Sequence, residues 1–435
     1  MRLIRLNLKP LRLDRIPCWL LVYAMLLPLR QLEFLPVLEN LGHVFHLTEV
    51  VFLVCAPTLL WQARRNLVPR LNIFVLGTAT LVFALTVSTF QAHHPQGYFE
   101  LAGRYYLLGV FICFYWATRQ FGTTFLKAVF RYWRYGAIAL VCLAYLGFPL
   151  AYLGWDGLVW VYEDYPYFGT VYRASAAAGG ATALLFLTWL PWLDDYARWR
   201  KSGSRPWFFL VCLPLYVLTL SKEVLIALIL LIAMERIFSR ARLWHYIVVA
   251  GLLAVYSFST HFLIQKPQDI EGTIFTTAEY SPGKIAYRSD RVQLLETTYL
   301  SLKRVAVWES SQRPVFGIGA DQFQQTLQDD RPTQIYPEHL PPYGPHSTWF
   351  GTLVEAGYLG LAGLILMVAG ITHKIRSNLT FGPESARHYN ACLSIFWVGL
   401  AAASFNCDYL HLQYVWVPLG IVMGQVGPKW EQDGL

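Results

Sequence analysis

Hydrophobic residues in this chain come in long blocks rather than at alternating positions. Twelve apolar segments lie near residues 16–36, 43–61, 71–90, 101–118, 135–153, 172–190, 207–220, 223–239, 243–263, 346–372, 389–407 and 411–427. Most are long enough to cross the roughly 30 Å hydrocarbon core of a bilayer as helices. The seventh and eighth are short and meet at "LTLSKEVL", so they also read as one broken hairpin that only just reaches the surface. The blocks predict an all-α polytopic integral membrane protein with about 12 transmembrane helices. Residues 1–263 would hold nine spans with short connections, 264–345 one large loop, and 346–435 three spans and a short tail. No repeat of 20 to 50 residues and no low-complexity tract interrupts this plan.

The loop has an internal order of its own. Val292, Leu295, Tyr299, Leu302 and Ala306 recur at helical spacing, which predicts one amphipathic helix lying along the membrane surface. "RPVFGIGADQF" (313–323) ends that helix with Pro314, Gly317 and Gly319, and the five prolines of "RPTQIYPEHLPPYGP" (331–345) favour an extended, stiff crossing to the next span.

Composition agrees with the blocks. Only 14% of residues are charged and 55% are hydrophobic, against about a quarter charged in a soluble domain. The 26 Tyr and 16 Trp suit two interfacial belts. The net charge of +8 does not point to nucleic acid, because the basic residues sit in short clusters between apolar blocks. With the N-terminus inside, 23 of the 35 Lys and Arg fall on the cytoplasmic side, as the positive-inside rule requires. Both termini are then cytoplasmic and the large loop is external. "MRLIRLNLKPLRLDR" is basic but lacks a compact apolar core and a cleavage site, so it reads as a retained tail. All seven cysteines lie in or beside apolar segments and none in 264–345, which argues against a disulfide framework or a cysteine metal site.

The motifs of soluble hydrolases, zinc proteases and nucleotide-binding loops are missing, and the GIG of the outer loop follows no strand of a βαβ unit. His93 and His94 are neighbours without partners at metal-ligand spacing, and read as interfacial. The informative residues are the cations expected on the outer side. Lys222 interrupts an apolar hairpin, where it either pairs with Glu223 or lines an anion-binding cavity. Arg288 and Arg291 flank a plausible helix start capped by Ser289 or Asp290. They either pair with nearby acids or, with the helix amides, cradle phosphate. Arg104 opens the fourth span and either pairs with Glu100 or serves as a ligand. His346 opens the tenth, as a cap-like residue facing headgroups or as a base near neutral pH for transfer to a sugar hydroxyl.

"HSTWFGTLVEAGYLGLAGLILMV" resembles the signature of the O-antigen ligase and O-antigen polymerase superfamily, in which a histidine opens a span and a Leu, a Glu and a G-x-x-G pair follow. Here these are His346, Leu353, Glu355, Gly357 and Gly360. "RPVFGIGADQF" is similar to that family's P-x-x-G-x-G segment, and "LTLSKEVLIAL", with Ser221 and Lys222, to its Ser-Arg hairpin. The likeness covers residues 207–372 in motifs and the first 200 in hydropathy alone. Two positions depart from the pattern: Ser347 stands where the family usually has Asn, and Lys222 where it has Arg, which keeps the charge but loses the planar fork.

The resemblance implies a GT-C-like, metal-independent, inverting glycosyltransferase of the bacterial inner membrane, with a periplasmic active site and no cofactor. The donor would be undecaprenyl-pyrophosphate-linked O-antigen, and the acceptor a hydroxyl of the lipid A core oligosaccharide. His346 would take the proton, Arg288 and Arg291 would hold the pyrophosphate, and Lys222, Arg104, Ser221 and Ser347 would contact substrate. A polymerase of the same superfamily would pass the chain to another lipid-linked repeat, but such enzymes often carry two sizeable outer loops and this chain has one. A protein-glycosylating relative would carry a domain after the last span, where only "GPKWEQDGL" stands. A transporter would place charges near mid-membrane and show related halves; here they crowd one face.

Overall fold

The computed structural model describes residues 16–32, 34–35, 45–63, 72–92, 95–155, 157–165, 169–174, 176–178, 180–219, 302–329, 332–333, 336, 344–405 and 408–425. It is a helical protein with two short antiparallel strand pairs, β1 (Phe34–Leu35) with β2 (Phe45–His46) and β3 (Trp160–Tyr165) with β4 (Gly169–Arg173). The helices are α1 (Cys18–Leu26), α2 (Leu47–Ala63), α3 (Ile73–Ala92), α4 (Pro95–Tyr152), α5 (Ala181–Ser202), α6 (Trp207–Leu218), α7 (302–312), α8 (Phe323–Asp329), α9 (Thr348–Phe381), α10 (Glu384–Ala403) and α11 (Gln413–Gly424). Three of these, α3, α4 and α9, are long and apolar enough to cross a membrane. α2, α6 and α11 contain shorter apolar stretches, as does the α1 region.

Two boundaries differ from expectation. Residues 119–134, expected as a cytoplasmic connection, are helical, and α4 runs for 58 residues. A straight helix of that length would span about 87 Å, almost three hydrocarbon cores. Gly122 breaks it (φ 54°, ψ −134°). The Phe114 and Phe125 rings, which a straight helix would separate by about 16 Å of rise, meet at 5.9 Å across the bend. The segment expected at 172–190 begins instead as strand β4, passes through a short turn at Ala176–Ala178, and becomes helical only from Ala181.

α9 packs along α3 because small residues face each other. A methyl on Gly77 would run into the backbone at Gly363 and Met367, and one on Gly363 into the backbone of Leu81. This is the close backbone approach that membrane helices use when dispersion, rather than water exclusion, drives packing. α11 lies against α4 in the same manner, around Phe111 and Tyr115. A small second core joins the segment from residue 302 onward to this bundle. Leu302, Val305 and Ala306 of α7 are buried with Ile318, Phe323, Leu327, Tyr336 and Val354. The helical part of the expectation thus holds for the described residues, with Leu302 and Ala306 facing protein; Val292, Leu295 and Tyr299 lie outside the described residues.

A charged mouth at a broken helix

The start of α4, the end of α3, the start of α9 and the connection from α10 to α11 converge at one end of the bundle, and most of the sequence-predicted chemistry that the structure describes is found there. Its scaffold is a break in α9. Gly357 adopts φ 66°, ψ −168°, so backbone groups on either side of it lose their helical partners, which would be costly if they stayed unpaired. The P-x-x-G-x-G segment supplies the replacements. Ile318 N–H donates to Val354 O at 2.9 Å and Gly319 N–H to Glu355 O at 3.0 Å, while Tyr358 N–H donates to Pro314 O at 2.8 Å and Leu359 N–H to Val315 O at 3.2 Å. The approach works only with glycine on both sides. A Cβ on Gly317 (φ 76°) would collide with the Val354 carbonyl oxygen, and one on Gly357 with that of Val315. Ala320 N–H then donates to Thr89 Oγ1 at the end of α3, at 3.1 Å, so one loop ties α3 to α9.

Asp408 is the hub of the mouth. Its Oδ1 accepts from Leu410 N–H at 3.2 Å and from the Thr348 hydroxyl at 3.3 Å. Its Oδ2 lies 3.5 Å from His411 Nδ1 and 4.0 Å from Arg104 Nη2. Burial alone would raise the pKa of this carboxyl, but the His411 hydrogen bond and charge, Arg104 and the Leu410 amide outweigh it and hold it well below the usual range. Arg104 therefore pairs with Asp408 rather than with Glu100, its expected alternative. Its Nε and Nη1 are buried and have no hydrogen-bond partner among the described residues.

His346 directly precedes the N-cap of α9, with a left-handed backbone (φ 45°), a conformation that costs a non-glycine residue about 1–3 kcal/mol. Its side chain is open at the surface but sits within the electrostatic reach of Asp408 and of Lys303 on α7. Partial desolvation by the protein around the ring lowers its pKa from the usual 6.5, Asp408 opposes this and Lys303 adds to it. The neutral imidazole is thus the favoured form near pH 7, as a proton acceptor requires. Ser347, by contrast, is fully buried. Its hydroxyl caps α9 by accepting from Phe350 N–H at 3.4 Å and donates to Ser404 O at 3.3 Å. It shapes the mouth without opening onto it, which differs from its expected substrate contact.

Three more carboxylates complete the site. Glu355 Oε1 accepts from Asp321 N–H at 3.2 Å. Asp321 takes a hydrogen bond from Gln96 Nε2 at 3.2 Å, and partial burial followed by the nearby Glu100 raises its pKa. These acids are far apart in the sequence, which gives no sign of a cluster. Folding assembles one from Glu100, Asp321, Glu355 and Asp408, whose charges act together on Glu355. A signal was available for Asp408: "NCDYLHLQY" places an acid and a histidine in the connection between the last two apolar blocks, on the side assigned to Arg104 and His346. Lys222, Ser221, Arg288 and Arg291 lie outside the described residues.

No protein-family model matches the chain, and no curated protein matches it at a significant level.

Proposed function

We propose that this chain is an inverting, metal-independent glycosyltransferase with about twelve spans in a GT-C-like arrangement. It would transfer O-antigen polysaccharide from undecaprenyl pyrophosphate to the lipid A core at the periplasmic face of the bacterial inner membrane. The observation that carries the reading is the pairing at one mouth of a guanidinium with unmatched buried donors, Arg104, and a histidine biased to its neutral form, His346. In the proposed step an acceptor hydroxyl attacks the anomeric carbon from the face opposite the pyrophosphate. Its proton passes to His346 as the new C–O bond forms. The old C–O bond breaks, and undecaprenyl pyrophosphate leaves with the electron pair. Arg104 meets the charge that builds on that leaving group, since guanidinium forks bind phosphate oxygens bidentately and fixed donors stabilise developing charge. Asp408 holds Arg104 and anchors the start of α9 through Thr348. Arg288, Arg291 and Lys222 keep the phosphate-binding role implied by the resemblance.

The test is reconstitution of the purified protein with undecaprenyl-pyrophosphate-linked polysaccharide and lipid A core in the presence of EDTA, with products resolved on a gel. Polysaccharide appearing on lipid A core is the expected result. Lengthened lipid-linked chains with untouched core would identify a polymerase instead, and an unconsumed donor would overturn the glycosyltransferase reading.

A further inference from the structure

A second polar locus lies at the far end of the bundle. Counted along the helices, Lys374 lies 26 residues beyond the start of α9, about 39 Å, and Arg119 lies 15 residues beyond Arg104 on α4, about 22 Å. Arg119 Nη1 donates to the Tyr115 hydroxyl at 2.9 Å, and Lys374 Nζ donates to the Gln425 carbonyl at 2.6 Å, just past the end of α11. Both are neutral acceptors. The two cations lie close enough for their charges to repel, and among the described residues neither has a carboxylate within 4.0 Å. The side chain of Gln425, next to Lys374, has both its Nε2 and Oε1 buried without a hydrogen-bond partner among the described residues. Three other basic side chains near this end do meet carboxylates. Arg134 meets Asp195 at 2.8 Å, and Arg198 and His388 meet Asp194 at 3.0 and 2.6 Å.

Two half-buried like charges on α4 and α9, beside an amide unmatched among the described residues, would be stabilised by an anion. Lysine has three donors and arginine five, and each uses one here on a neutral oxygen. A phosphate would engage the free donors, cancel the repulsion and accept from the Gln425 amide. The positive-inside pattern of the sequence puts both cations on the side opposite the mouth, and basic pockets between membrane helices recognise acidic lipids. We infer that Arg119, Lys374 and Gln425 form a binding site for the phosphate of an anionic phospholipid headgroup. A soluble phosphate has the same chemistry, and the test separates the two sources.

The full chain is placed in nanodiscs of phosphatidylcholine, with or without phosphatidylglycerol, and retained lipid is counted by native mass spectrometry. Wild type is expected to keep phosphatidylglycerol in preference to phosphatidylcholine. Lys374→Gln and Arg119→Gln each weaken that retention about fivefold, the effect of removing one interfacial cation. Lys374→Arg, which keeps a charge and a donor to the Gln425 carbonyl, retains the lipid. Melting in phosphatidylcholine alone checks that the variants are folded, and loss of retention in folded Lys374→Arg would mark a structural effect and overturn the assignment. Equal retention by wild type and the double variant Arg119→Gln/Lys374→Gln would do so too. So would millimolar inorganic phosphate protecting wild type in phosphatidylcholine as well as phosphatidylglycerol does, since the ligand would then be soluble.

Discussion

Gly357→Ala probes the broken helix most sharply. Gly357 sits at φ 66°, ψ −168°, a region all but reserved for glycine that costs alanine about 1–3 kcal/mol, and the added Cβ would meet the Val315 carbonyl oxygen. Relief requires the 314–319 segment to move off α9, which breaks some or all of the four backbone hydrogen bonds between them. At about 1 kcal/mol each, losing two of the four brings the total destabilisation to roughly 3–5 kcal/mol. The assay is thermal and denaturant unfolding in detergent, combined with limited proteolysis across 313–322. Gly103→Ala is the control, because Gly103 lies inside α4 with open space around its Cβ position, and alanine there should be neutral or stabilise slightly. A lower midpoint and faster cleavage of the loop are expected for Gly357→Ala alone. A variant destabilised by less than about 1 kcal/mol, with an uncut loop, would refute the view that this segment completes the helix.

Other consequences can be measured separately. Arg104→Ala should leave the fold intact and raise the donor concentration needed for transfer by at least tenfold, about 1.4 kcal/mol, read from initial rates against lipid-linked donor. The acidic limb of the transfer rate should fall below pH 6.5, because the folded His346 holds its proton less tightly than a free histidine; Lys303→Gln should move that limb toward higher pH. Asp408 supplies a pH signature of stability. Its folded pKa lies below its unfolded value, so its contribution is complete above about pH 4 and is lost as pH falls further. Asp408→Asn should flatten that acid loss in melting curves, and unchanged acid sensitivity would contradict the hub.

Local chemistry was legible in the sequence where it depended on neighbours along the chain. Apolar blocks marked the helices, Leu302 and Ala306 marked the inward face of α7, and Gly317 and Gly319 marked the turn after it. What stayed hidden depended on distance. Nothing local to Arg104 announces Asp408, about 300 residues later, so the nearer Glu100 was the natural partner to expect. Gly122 also misled in a simple way: the charges of 119–134 suggested a loop, but a single glycine with positive φ is enough to turn a helix without unwinding it. Ser347 reads from sequence as a departure near a reactive histidine, yet the folded chain uses it as a helix cap, a role serine fills well.

The account's central claim is that the mouth around His346 is where transfer happens, and the direct measurement is single-turnover transfer by wild type and His346→Ala, reconstituted with donor and acceptor at neutral pH. Transfer by wild type, with a rate at least a hundredfold lower in a variant that melts normally, is the predicted result, since general base catalysis contributes about 10²–10⁴-fold. Equal rates in the two proteins would contradict the claim and remove His346 from the chemistry.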